Sequence, residues 1–437
     1  MNPLVRPSGP TSYRYVIFAI VTTLALINYI DRGAISYASE QIISEYGFTR
    51  ANWGSMLGYF GYGYMFGAIL GGTLSDRLGA RKLWIVAGTA WSIFAILMIW
   101  AGDIGIAIFG GSALAGFAFV RIIFGFAEGP SYSIINKTMA NWAPFSERGF
   151  AVSLGLLSTP LGAMMTAPAS VGLLLLTGSW RTMYIVLGVL GIILILIFSK
   201  IYTNRPEENP KVSQDELNLI REGNPSVSHS SENKKVDLKG FFSNKTLVFN
   251  SIGYFSFQYV NFMILTWTPK YLSDEFGLSL SSLWYMGMIP WIGACFTILF
   301  GGKVSDWIFK KTGSLRIARG GLAAASLALT TVILLMIPQA SSAWGVIGLM
   351  TLANACNSIP NSVYWAVIID SSPVEKMGTY SGITHFIANI ATILSPTLAG
   401  VLAMNYGYNA MFIATASATA IGLFAMLSIR PGRHEVS

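Results

Sequence analysis

Residues 71–82 read GGTLSDRLGARK, and residues 301–313 read GGKVSDWIFKKTG. Each stretch sets an Asp four residues after the second Gly of a pair, with basic residues following: Gly72 to Asp76 in the first, Gly302 to Asp306 in the second. A Gly pair lets a neighbouring helix approach closely. The Asp can hold a helix terminus, or a basic residue across an interface. Each stretch closes an apolar run, 52–74 and 281–303, that is long enough to span a bilayer. Two copies at corresponding helix ends, six spans apart, are much harder to assign to chance than one.

Such runs recur along the whole chain. The first six lie at about 14–38, 52–74, 83–101, 106–138, 147–174 and 180–199; the second six at about 246–271, 281–303, 318–337, 344–369, 377–404 and 409–429. Only 11% of the 437 residues are charged and 53% are hydrophobic, which excludes an ordinary soluble domain. The first run is long and interrupted by charge, unlike the short core of a cleaved signal peptide. Cys295 and Cys356 have no CxxC or His-rich neighbour, so neither a disulfide framework nor a metal site is expected.

The charge distribution sets orientation. With the N-terminus cytoplasmic, the inside receives Arg6, Arg14, Arg77, Arg81, Lys82, Arg148, the basic residues of 200–245, Lys303, Lys310, Lys311, Arg316, Arg319, Lys376, Arg430 and Arg433. The outside receives Arg50, Arg181 and Lys270. Both termini are therefore expected inside, and the net charge of +8 needs no nucleic acid to explain it. Residues 200–245 are polar, with RPEENP and PSVSHSSENKK reading as linker. Ser213 and Glu216 form a capping-box pattern for a short surface helix. The expected organisation is an all-α membrane protein: a six-helix lobe at 1–199, a cytoplasmic linker at 200–245 and a second six-helix lobe at 246–437. A 6 + 6 division of this kind is a transporter pattern. No extramembrane region is large enough for a catalytic or sensor domain, so an enzyme is not expected.

Inside the spans, away from the helix ends, stand Asp31, Arg32, Arg121, Glu128 and Lys137. Each costs roughly 2.5–3.5 kcal/mol at a helix centre, so pairing or a wet cavity is expected. Tyr29 and Arg32 share a helix face, and Arg121, Gly125, Glu128 and Tyr132 form one stripe. If the first and fourth helices face each other, Asp31 can pair with Arg121 and Arg32 with Glu128. An anion that binds an Arg competes with its carboxylate partner, which must then be protonated or left unpaired. This is a device for coupling anions to protons. Further along, Tyr254, Gln258 and Asn261 share a face, and Asn354, Asn357, Asn361 and Trp365 read as a cavity wall. His385 and Asn389 lie one turn apart.

The motif Gly72-x-x-x-Asp76-Arg77-x-Gly79-x-Arg81-Lys82 resembles the loop motif of the major facilitator superfamily. The resemblance implies that Gly72, Asp76, Arg77, Arg81 and, in the second copy, Asp306 gate the cytoplasmic side. NYIDR in the first span, VRIIFGFAEGPSYS at 120–133 and ERG at 147–149 resemble the anion:cation symporter family within it, whose bacterial members include galactonate, glucarate and hexuronate transporters. That resemblance implies substrate contacts from Tyr29 and Arg32, proton carriage by Asp31 and Glu128, and Arg121 as the ionic partner of Asp31. Tyr64 matches a cavity tyrosine of the family, and Trp365, ahead of Asp370 and Pro373, matches a tryptophan lining its site. Two positions depart from the sugar-acid pattern: His385 stands where Asn is usual, and Thr159 where Gln is usual. The substrate site is thus expected at Tyr29, Arg32, Tyr64, Thr159, Gln258, Asn361, Trp365, His385 and Asn389.

The expected function is import of a small organic anion with protons, by alternating access, across the cell inner membrane by a monomer that needs no cofactor. A sugar acid (hexuronate, aldonate or aldarate) leads. An aromatic carboxylate such as phthalate is the alternative, and an exporter of the same fold or a transporter-derived sensor follows.

Overall fold

The computed structural model describes residues 6–7, 9–222, 237–373 and 376–432; the side chains of Gly72, Thr73, Asp76, Ala140 and Arg148 lie outside the described set. Helix is the only regular structure among the described residues. Among the described residues, nine helical stretches are long and apolar enough to cross a membrane: Tyr13–Tyr46, Ala80–Ile108, Ala113–Met139, Phe145–Thr177, Trp180–Ile201, Leu280–Thr312, Arg316–Gln339, Met377–Tyr406 and Tyr408–Ser428. They are the first, third to sixth, eighth, ninth, eleventh and twelfth spans. The second, Arg50–Leu78, and the seventh, Lys245–Phe276, are longer than most but diluted by Gly, Tyr, Ser and Asn. The tenth is split into Ala343–Ser358 and Asn361–Ser371.

Helices outrun the apolar segments because backbone hydrogen bonding continues until a cap stops it. The second span begins where the Thr49 side chain accepts from the Asn52 N–H at 3.1 Å. The eighth runs past its hydrophobic part to Gly313, which takes a φ of +65° to end it.

Three spans break near the middle of their length. The fourth breaks at Gly129-Pro130 after Glu128, the tenth at Ile359-Pro360 before Asn361, and the eleventh at Ile390 after Asn389. A Pro removes one backbone donor and clashes with the preceding turn. Such breaks are tolerated in membranes where protein or water surrounds the freed groups.

Among the described residues, the first six spans pack mainly among themselves, as do the last six, and the halves meet chiefly along three contacts. The second span lies along the eleventh, the fifth along the eighth, and the end of the first beside the seventh. At the second–eleventh contact the backbones touch. A Cβ added to Gly54 would lie 2.5 Å from the Pro396 carbonyl oxygen and 2.9 Å from the Gly400 Cα.

On the face that carries the linker, Ser213 caps the helix Gln214–Arg221 by accepting from the Glu216 N–H at 3.2 Å. The reciprocal half of the expected capping box is absent. The Glu216 carboxylate instead accepts from the Tyr13 and Arg14 N–H groups, each at 2.9 Å, and from the Thr11 hydroxyl at 2.5 Å. It satisfies the open N-terminus of the first span, where a helix dipole favours an anion.

Candidate substrate and coupling site

Arg32 and Glu128 meet near the middle of the first and fourth spans. The Arg32 Nε and Nη2 groups donate to one Glu128 oxygen, Oε2, at 3.2 and 3.0 Å, and Nη2 also donates to Asn28 Oδ1 at 3.3 Å. Three rings surround the guanidinium: Tyr29 at 4.6 Å, Tyr64 at 4.4 Å and Phe60 at 4.8 Å from its carbon to the ring centroids. Cation–π contacts of this kind partly replace water around a buried cation. Arg32 is 4% exposed, and Asp31 and Glu128 are fully buried.

The expected pair between Asp31 and Arg121 is not formed. Neighbouring residues of a helix point about 100° apart, so with Arg32 on Glu128, Asp31 faces another way. Both Asp31 oxygens lack a hydrogen-bond partner, as does Glu128 Oε1. Arg121 donates from Nη2 to the Leu57 carbonyl of the second span at 3.2 Å and lies 5.6 Å from the Phe60 centroid; its Nε and Nη1 are unpartnered. Sequence reasoning missed Tyr184 on the sixth span. It is fully buried with an unpartnered hydroxyl, in electrostatic range of Arg121, Asp31 and Glu128. Phe60 was missed as well, since one aromatic residue in an aromatic-rich helix carries no signal.

The last six spans supply an aromatic wall. Tyr132, one turn beyond Glu128, stacks on His385 at 5.8 Å and on Trp365 at 6.1 Å; Tyr254 closes the cluster at 5.7 Å from Trp365. Neither His385 nitrogen has a partner, nor do Trp365 Nε1 and Asn361 Oδ1. Gln258 Nε2 donates to Asn389 Oδ1 at 3.5 Å, and Asn389 Nδ2 to the His385 carbonyl at 2.7 Å. Thr159 is half-buried on the fifth span, three residues before Gly162, whose missing side chain leaves room for Tyr29.

The expected wall of Asn354, Asn357, Asn361 and Trp365 is not continuous. Asn354 donates to the Pro290 carbonyl at 3.0 Å and Asn357 to the Phe257 carbonyl at 3.1 Å, so both brace helices from fully buried positions. The break at Ile359-Pro360 interrupts the helical phase, which separates Asn361 and Trp365 from them.

A profile of the Major Facilitator Superfamily matches residues 21–396. The chain belongs to that superfamily. It is 30% identical to the hexuronate transporter of Bacillus subtilis over 407 residues, 92% of this chain and 91% of that one. It is 30% identical to a probable galactarate/D-glucarate transporter of the same organism, covering 99% and 95%. The D-galactonate transporter of Escherichia coli is 27% identical, covering 98% of each. Among solved structures, a bacterial homologue of the human lysosomal transporter Spinster superimposes with a TM-score of 0.74 at 16% identity, over 96% of this chain and 97% of that one. A D-xylose–proton symporter superimposes with a TM-score of 0.70 at 16% identity, over 96% and 98%. These two likenesses concern the fold.

The chain is therefore a multi-pass membrane transporter of the major facilitator superfamily, not an enzyme. Its loop motif is only partly visible in side-chain detail, because Gly72 and Asp76 lie outside the described side chains. The bonds of Arg81 stay within the first half: its backbone N–H donates to Asn204 Oδ1 at 2.9 Å and its Nη2 to the Ser199 carbonyl at 2.5 Å. Arg77 is exposed. In the second copy, Arg319 donates to Asp306 at 2.9 Å and to Asp370 at 3.1 Å. Arg319 thus ties the eighth, ninth and tenth spans to one another, and its contact with Asp306 stays within the last six spans.

Proposed function

We propose that this chain is a proton-coupled symporter that imports a sugar acid, a hexuronate, aldonate or aldarate, by alternating access. The observation that carries the reading is the Arg32–Glu128 contact beside the unpartnered Asp31. A substrate carboxylate gripping Arg32 displaces Glu128, and a buried carboxylate deprived of its cation must be neutralised, for which a proton suffices. Asp31 offers a second buried carboxylate for the same purpose. Arg121 serves the cluster as a fixed positive charge rather than as the direct partner of Asp31.

The substrates for which the relatives are named, hexuronate, galactarate, D-glucarate and D-galactonate, support a polyhydroxylated acid. The neutral polar atoms of Thr159, Gln258, Asn361, Trp365, His385 and Asn389 suit its hydroxyl groups. One relative, 27% identical, is a probable sulfoacetate transporter, an acid without a sugar chain. The linker face is read as cytoplasmic, with both termini inside and the inner membrane as the location. The halves then correspond to residues 1–199 and 246–437, joined by 200–245, in a monomer.

The test is uptake in proteoliposomes under an imposed inward proton gradient, with a panel of galacturonate, galactonate, glucarate, phthalate and a lipophilic cation. Proton influx triggered by a sugar acid is expected. A response to phthalate alone keeps the mechanism and moves the substrate class. A response to the cation alone overturns the reading.

A further inference from the structure

The face opposite the linker is closed by contacts that the coupling site does not use. Arg50, first residue of the second span, donates from Nη2 to Asp274 Oδ2 at 3.2 Å and from Nη1 to the Ala403 carbonyl at 3.4 Å. Its guanidinium carbon lies 4.8 Å from the Tyr408 ring centroid. Asp274, in the last turn of the seventh span, also accepts from the Tyr408 hydroxyl at 2.6 Å and from Lys270 Nζ at 2.5 Å. Ser273, its neighbour, donates to Glu40 near the end of the first span. Among the described residues, Arg50–Asp274 is the one ion pair that joins the first six spans to the last six. One turn deeper, the backbones touch at Gly54 and Gly400.

We propose that Arg50 and Asp274 form the latch of an outer gate, and that the Gly54–Gly400 contact is the seal beneath it. Substrate arriving from this face reaches Arg32 only if the second and eleventh spans part, and parting them separates Arg50 from Asp274, Ala403 and Tyr408 together. Asp274 keeps Lys270 and Tyr408 when the latch opens, because all three belong to the last six spans. Its charge is therefore matched in both states, as a part that opens and closes repeatedly requires. The pair is also partly exposed to water, chiefly on the Arg50 side, with side-chain exposure of 39% for Arg50 and 16% for Asp274. Solvent weakens such a pair, so the latch biases the equilibrium without freezing it. Two of the three cations assigned to the outer loops, Arg50 and Lys270, converge on this one carboxylate.

The test reads conformation without substrate, so its failure is distinguishable from an error about the transported acid. Cys295 and Cys356 are first replaced by Ser. A single reporter, Thr397→Cys, is then placed against Gly58 under the second–eleventh contact, and a second protein carries Asn136→Cys on the exposed, linker-facing part of the fourth span. Each is labelled with a membrane-impermeant maleimide applied from its own side. Asp274→Asn is expected to speed labelling at 397 several-fold and to slow it at 136. Arg50→Gln should do the same, and the double variant should add little to either single one. General loosening would speed both reporters, and that result overturns the proposal, as do unchanged rates at 397 in a protein that elutes as one species. Should Asp274→Asn fail to fold, Arg50→Gln, which leaves Asp274 its bonds to Lys270 and Tyr408, decides the matter alone.

Discussion

Arg32 uses two N–H groups on one oxygen of Glu128, so it cannot grip a substrate carboxylate with both until Glu128 releases it. Replacing Arg32 with Ala is expected to abolish saturable binding, measured by titration calorimetry, since truncating a buried charged contact costs about 2–5 kcal/mol. Glu128→Gln keeps the shape and removes the titrating oxygen. It is expected to retain counterflow exchange of labelled substrate while losing accumulation driven by a pH gradient; concentrative uptake by this variant would overturn the proton role. The candidates themselves were legible in sequence, because a charge in a lipid-facing run needs a reason and helical spacing shows which charges share a face. Their pairing was legible by half: Arg32 meets Glu128 as expected, whereas Asp31 does not meet Arg121. Which neighbour Asp31 or Arg121 meets depends on how helices are rotated against each other, and Arg121 found the Leu57 carbonyl, an acceptor that every residue carries. Tyr184 gave no signal at all, being one polar tip in an apolar run.

At the scale of the helix, the lesson lies in the breaks. The fourth and tenth spans hold corresponding places in the two sets of six, and each breaks at a Pro beside a candidate residue, Glu128 or Asn361. Periodicity carried through Ile359-Pro360 put Asn354 and Asn357 on the same wall as Trp365, whereas the break turned them into braces against the eighth and seventh spans. Span number and order were readable because each apolar run is long. Helix ends were not, because caps such as Thr49 and Gly313 lie outside the apolar segments that mark the spans. Close packing of the second on the fourth span sets the rings that flank Arg32. A Cβ on Gly125 would lie 2.9 Å from the Tyr64 nitrogen and collide with the Phe60 carbonyl. Gly125→Ala is therefore expected to cost about 1–3 kcal/mol in stability, as overpacking does, and to weaken substrate binding by shifting Phe60 and Tyr64. Gly172→Ala meets nothing within 4 Å and should be neutral or stabilise by up to about 1 kcal/mol. Thermal unfolding of the two variants in detergent checks the contrast, and equal midpoints would mean that the second and fourth spans have slack.

Across the whole molecule, the two ends of the linker are fastened to different sets of spans. Glu216 holds the start of the first span, while Asp237 accepts from Lys376 Nζ at 2.6 Å and from the Tyr380 hydroxyl at 3.2 Å on the eleventh. Lys376 and the Gly240 N–H hold the Asp237 carboxyl below its usual range. A depressed carboxyl stabilises docking above its unfolded value and loses that contribution as pH falls through the lower folded value. This clip is therefore intact across pH 5–8, and a change of transport in that window arises elsewhere. Asp237→Asn at neutral pH is expected to raise hydrogen exchange in Leu238–Ser243 without altering it in Gln214–Arg221. The two clips were invisible in a segment that reads as linker, since each depends on a contact more than a hundred residues away. The coupling site makes the remaining prediction for the molecule as a whole. Under the proposed proton coupling, if Asp31 and Glu128, two buried carboxylates without full partners, each carry a proton with one monoanion, one net positive charge enters per cycle. That charge draws about 2.3 kcal/mol from each 100 mV of membrane potential. An inside-negative potassium diffusion potential at equal pH should then drive accumulation of a sugar monoacid by the parent protein. Asp31→Asn removes one of the two proton sites and is expected to make transport electroneutral, with uptake still driven by a pH gradient and no longer by voltage. If Asp31→Asn keeps its voltage response, the second proton rides on another group, and the charge movement must be traced to Arg121 and Tyr184 instead.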